Sequence, residues 1–187
     1  GAAKVFDPML SLSWKVDNAD KDKTAYRLEV RREGDALWRR IHTGKGPLTS
    51  TEYKWNTETY PDGYYRLKVT ASDHLANSRK HAQKSSWTTP LFVIDNERPK
   101  ISGLTVRFPA VSARATDAIS TITEVAYSID DGPWLLGDSV DGLFDDQSEV
   151  LDITVPADLP VGSHTLSIRV ADSAGNVGSI STSFRSK

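Results

Sequence analysis

One feature limits the folds open to this chain more than any other: it repeats itself. PDGYYRLKVTASDHLAN fills positions 61–77 and PVGSHTLSIRVADSAGN fills positions 160–176. Gly63 and Gly162, Leu67 and Leu166, Asp73 and Asp172, and Asn77 and Asn176 each stand 99 residues apart. Within 187 residues, that interval leaves room for two copies of one domain of about 90 residues, inside the usual domain range.

The period within the repeats is two, the signature of a half-buried strand. In YRLKVTAS, Tyr65, Leu67, Val69 and Ala71 alternate with Arg66, Lys68, Thr70 and Ser72. HTLSIRVA sets Leu166, Ile168 and Val170 against Thr165, Ser167 and Arg169, and YRLEVRR sets Tyr26, Leu28 and Val30 against Arg27, Glu29 and Arg31. SLSWKV places Leu12, Trp14 and Val16 on one face, and VLDITV places Leu151, Ile153 and Val155. Turn chemistry separates these runs: Gly34-Asp35, Asp131-Gly132, and the Pro-x-Gly that introduces each repeat. Glycine supplies positive φ at no steric cost, and Asp tolerates it. Short strands with turns between them predict β-sandwiches. Both halves also run strand, Gly-containing turn, then tryptophan, at Trp38 and at Trp134.

The join is expected near residue 97. PLFVIDNERPKISGL closes one strand at Ile94 and restarts after Pro99, and proline, lacking an amide donor, punctuates a strand. The expected domains are therefore 1–97 and 98–187. Charge divides along the same line. Residues 1–97 carry 16 Lys/Arg against 13 Asp/Glu, and residues 98–187 carry 7 against 12.

The chain has no cysteine, which removes thiol chemistry, disulfides and Cys-based zinc sites. No run approaches the ~20 apolar residues of a membrane span. The opening GAAKVFDPML lacks the basic-then-apolar layout of a signal peptide, and the chain reads as a piece of a longer protein.

LPVGSHTLSIRVADSAGNVGS resembles the late strand and loop of bacterial immunoglobulin-like repeats, and VIDNERP resembles the seam that joins such repeats. The first half, with its Trp14 strand and YPDGYYRLKVTASD, resembles a fibronectin type III-like module. The resemblance implies an all-β chain of two consecutive sandwiches, as in C-terminal tails of large exported bacterial proteins, some with a β-propeller upstream. It implies an exported location (periplasmic, cell-surface or secreted) and a non-catalytic spacer, adhesion or protein-interaction role. Flanking domains of a parent chain and a protein or glycan partner are implied, with no nucleic acid and no membrane insertion. A carbohydrate-binding accessory region of a secreted enzyme is the alternative. His164 replaces the Tyr65 of the first copy, so a tyrosine corner is expected only in the first domain.

Candidate chemistry is sparse. There is no Gly-x-Ser-x-Gly elbow, and His42, His74, His81 and His164 are scattered, so no catalytic residues are expected. No cofactor is expected either. The residues best able to hold Ca²⁺ are Asp138, Asp141, Asp145 and Asp146, with Glu149 beside them, and Asp95 with Asn96 at the join, where they could meet Asp73 or Asn77. Asp17, Asp20 and Asp22 form a further acidic run, and the ordinary role of all such loops is turn capping. Among the tryptophans, Trp14 and Trp55 are expected in the core. Trp87 and Trp134 are the candidates for stacking on a sugar. Arg27, Arg31, Arg32, Arg39 and Arg40 make a basic patch interrupted by Glu29, Glu33 and Asp35.

Overall fold

A computed structural model describes residues 9–78 and 80–187. Every regular element in it is a strand. The described chain divides into two compact units between Ile94 and Asp95, three residues before the join read from the sequence. Among the described residues, no helix is long and apolar enough to cross a membrane.

The first unit contains β1 (Met9–Ser13), β2 (Ala25–Arg32), β3 (Arg39–Arg40), β4 (Glu52–Asn56), β5 (Gly63–Ser72), β6 (Lys84–Thr88) and β7 (Phe92–Ile94). β1 and β4 pair as one small sheet; the other runs β3-β2-β5-β6, with β7 also on β5. β6 and β7 are two parts of one edge. Thr89 keeps both bonds to Leu67, donating its N–H to the carbonyl and accepting the amide on its hydroxyl. Pro90 then ends the ladder because it has no N–H to give. The alternating face of β2 and β5 is buried as expected: Tyr26, Leu28, Val30, Tyr65, Leu67 and Val69 pack with Trp55 and Ile94. Trp14 is only partly covered, and Val16 lies beyond β1 and is exposed.

The second unit contains β8 (Lys100–Arg107), β9 (Ala110–Thr116), β10 (Ile122–Ile129), β11 (Leu135–Leu136), β12 (Asp138–Ser139), β13 (Ser148–Thr154), β14 (Ser163–Asp172) and β15 (Val177–Arg185). Its sheets run β11-β10-β14-β15 and β12-β13-β9-β8, all antiparallel. Leu151, Ile153, Val155, Leu166, Ile168 and Val170 are fully enclosed between them.

The β10–β11 turn sits one residue earlier than Asp131-Gly132. Asp130 (φ 49°) and Asp131 (φ 57°) are the left-handed pair, and Gly132 closes the turn by donating its N–H to Ile129 O at 2.9 Å. Two aspartates accept this backbone because Asp130 is held from outside the turn: its carboxylate takes the Thr165 amide at 2.8 Å. Gly178 answers a different need. A Cβ there would lie 1.9 Å from the Pro99 carbonyl oxygen, so only glycine lets β15 approach the segment leading into β8.

Candidate functional site

The densest arrangement of ionisable groups in the second unit surrounds its first residue. Asp95, Asp117 and Asp172 each bring a carboxylate oxygen within 4.8 Å of the others, the one such group among the described residues. Asp95 and Asp172 are buried. Asn176, 1% exposed, ties them together: its side-chain amide donates to Asp172 Oδ2 at 2.9 Å and to the Asp95 carbonyl at 3.2 Å, while its backbone N–H donates to Asp172 Oδ1 at 2.9 Å. Asp117 caps the turn that follows β9, accepting the Ile119 and Ser120 amides at 2.9 Å each. The Ser120 hydroxyl donates to Asp95 Oδ2.

Burial pushes the Asp95 carboxyl above its usual value. The Ser120 hydrogen bond opposes the shift, and the neighbouring Asp117 and Asp172 charges add to it. The trio can share a proton or face a cation. Its three carboxylates are fewer than the six to eight oxygens Ca²⁺ takes, so carbonyls or water would have to complete any shell.

Of the residues singled out in the sequence, Asp95 lies in this group, and Asn96 follows it, partly buried. Within the second unit, Asp95 stands with Asp117 and Asp172. Asn77 and Asp73 belong to a separate clamp in the first unit. There the Asn77 side-chain amide donates to both Asp73 Oδ2 and Asp22 Oδ2 at 3.0 Å, and Asp73 Oδ1 accepts the Gln83 amide at 2.7 Å.

The acidic loop holds itself. Asp141 accepts the Ser139 hydroxyl at 2.7 Å and the Leu143 amide at 3.2 Å, bonds that lower its pKa. Buried Glu149 takes the amides of Asp145 and Asp146 at 3.2 and 3.0 Å. Asp138 lies on β12, and Asp145 and Asp146 border an open hollow with Thr121, Gln147 and Ser148. Asp172 stands in the sequence as part of the repeat, and Asp117 belongs to no motif.

His164 carries more than the sequence reading allowed. Its Nε2 meets the Pro160 carbonyl at 2.8 Å and its Nδ1 meets Asp130 Oδ2 at 2.6 Å. In the first unit, the Tyr65 hydroxyl donates to the Pro61 carbonyl at 2.5 Å. The corner is therefore made in both units, by a phenol in one and an imidazole in the other. Hydrogen bonding to Asp130 and Pro160 raises the His164 pKa, and the same contact lowers that of Asp130. Both ring nitrogens are engaged, which leaves neither facing a substrate.

Trp87 is 62% exposed on β6, and Trp134 is 44% exposed with the Arg169 guanidinium 4.4 Å from its ring centre. Trp55 is buried. Trp38 lies under Lys68 and Arg31, at 4.3 and 4.9 Å.

No protein-family model matches the chain, and no curated protein matches it. Solved structures resemble the chain at low identity. The chain is 14% identical to the chicken interferon gamma receptor alpha chain, with a TM-score of 0.40, over 96% of this chain and 92% of that one. It is 17% identical to SGBP-B of the Bacteroides ovatus mixed-linkage glucan utilization locus, solved with a mixed-linkage heptasaccharide, with a TM-score of 0.31 over 97% and 41%. It is 14% identical to the FN1–FN3 domains of chicken CNTN1, with a TM-score of 0.38 over 96% and 63%. It thus spans less than two thirds of the last two. The strand order and the two enclosed cores define the class: an all-β chain of immunoglobulin-like, fibronectin type III-like sandwiches.

Proposed function

We propose that the chain is a non-catalytic spacer and interaction module of a larger exported bacterial protein, built from two sandwiches in tandem. The observation that carries this reading is the grip on the chain at the peptide bond between residues 94 and 95. Ile94 is part of the first core, paired through β7 with Gly63 on β5, and Asp95 is buried in the carboxylate group of the second unit. Each folded core therefore holds its own end of the chain at this bond. Loops and sheet faces remain available for binding, as they do when rigid sandwiches carry function on their surfaces.

Single-molecule pulling tests it. Two separate unfolding events are expected, each releasing roughly 300 Å of chain, from ~90 residues at about 3.4 Å per residue. One event of double length, or a featureless trace, would sink the two-module reading.

A carbohydrate-binding accessory role is the second reading, favoured by the exposure of Trp87. Retardation in gels containing a neutral β-glucan, lost in Trp87→Ala, would support it over a pure spacer.

A further inference from the structure

We infer that the outer face of the first unit's larger sheet is a binding groove for a carboxylated polysaccharide, a chain of uronic acid type. The inference deepens the interaction-module reading and rests on it. The groove, about 980 Å³, runs across β2, β3, β5 and β6. Arg27 and Arg40 stand over its sheet floor, Lys84 lies at one edge, and Lys45 comes from the 44–47 loop on the other side. Thr70 and Ser72 line the floor, and His74 and Ala82 lie towards one end.

Charge is the first argument. Glu29 is the groove's single carboxylate, and Lys68, directly across from it on β5, holds it at 3.0 Å. The other two acids that break up the basic patch in the sequence are engaged elsewhere: Glu33 lies 3.9 Å from Arg66 and Asp35 lies 3.8 Å from Arg39. Arg27, Arg40, Lys45 and Lys84 make no ion pair among the described residues. Four cations against one acid leave the groove lining at +3. Positive charge on a concave face draws in an anionic partner and holds it against screening better than a flat surface would.

Shape and chemistry choose the anion. The groove has the volume of a site for a small oligomer. Guanidinium forks match planar carboxylates with two parallel hydrogen bonds, and hydroxyls on the floor suit sugar hydroxyls. Its aromatic rings are Tyr26, which is buried, and the small imidazole of His74 towards one end, so it offers no indole or phenol platform for stacking nucleobases or the faces of neutral sugars.

The test is affinity electrophoresis and calorimetry on the full chain with polygalacturonate, a neutral mixed-linkage β-glucan and a single-stranded oligothymidylate as probes. Polygalacturonate is expected to bind at about 50 mM NaCl and to weaken steeply with added salt. Arg27→Gln with Arg40→Gln is expected to weaken it about tenfold or more, and Lys45→Gln alone by about threefold. Arg107→Gln with Arg114→Gln, on the second unit, is expected to leave binding unchanged. Circular dichroism confirms that each variant is folded, and Lys45 lies on an exposed loop where its loss leaves the sheet intact. Absence of polygalacturonate binding, binding indifferent to the groove variants, or tighter binding of oligothymidylate or neutral glucan would each overturn the inference. If the two unfolding events persist while polygalacturonate fails to bind, this inference alone falls; if they are lost as well, the module reading falls with it.

Discussion

The two copies of the repeated strand-and-turn end in the same clamp but in different surroundings. In the first unit, Asp73 and Asn77 close on Asp22, and all three are only partly covered. In the second, Asp172 and Asn176 close on Asp95, and all three are buried. The turns differ with them. β14 passes to β15 through residues 173–176, with Gly175 in the left-handed region (φ 93°), whereas β5 reaches β6 only after residues 73–83. Glycine allows the tight hairpin that brings Asn176 under the entering chain, and Ala76 does not provide it. One motif therefore serves as a solvated turn in one place and as a buried anchor in the other. Its energetic weight follows burial, because a polar group cut off from water costs more when it loses its partner.

That contrast can be broken in several ways. The largest effect is expected from Gly178→Ala, whose Cβ would meet the Pro99 carbonyl. The second unit should lose about 3 kcal/mol or more, seen as an earlier urea transition. Asn176→Ala should cost nearly as much, about 3 kcal/mol, by taking the side-chain donor from the buried Asp172 Oδ2 and the Asp95 carbonyl. Asn77→Ala should cost only about 1 kcal/mol in the first unit, because water can replace the lost bonds. Equal losses at Asn77 and Asn176 would defeat the burial argument. Tyr65→Phe should cost roughly 1 kcal/mol through the Pro61 bond, read from the fluorescence of the first unit's tryptophans.

The smallest effect concerns pH. The folded pKa of His164 lies above the ordinary 6.5, so its stabilisation is complete below 6.5 and is lost as pH rises through the raised value. Asp130 is lowered from 3.8, so its contribution is present above 3.8 and is lost as pH falls through the lowered value. Asp95, raised from 3.8, works the other way in acid: the second unit loses stability as that carboxyl ionises. Thermal melts between about pH 6 and pH 8.5 should therefore show the second unit softening in wild type but not in His164→Tyr. A parallel slope in both would remove the imidazole corner from the account.

Much of the architecture was legible before any coordinates. Alternation in YRLEVRR, YRLKVTAS, VLDITV and HTLSIRVA marked faces that are in fact buried, because period two leaves a strand only one way to face a core. Trp87 and Trp134 also read correctly as exposed residues. The exchange of Tyr65 for His164 was legible as a tyrosine corner in the first domain alone; that an imidazole reaches the matching carbonyl in the second was not.

What no linear reading could supply was which distant groups would meet. The repeat, the strand faces and the absence of thiol chemistry are local or compositional, and near neighbours in the chain settle them. The union of Asp95 with Asp117 and Asp172, the release of Arg27 and Arg40 when Lys68 takes Glu29, and the approach of Pro99 to Gly178 all depend on strand order and register. Those are set when two sheets close over one core, and a pairing across many residues leaves no periodic trace in the sequence.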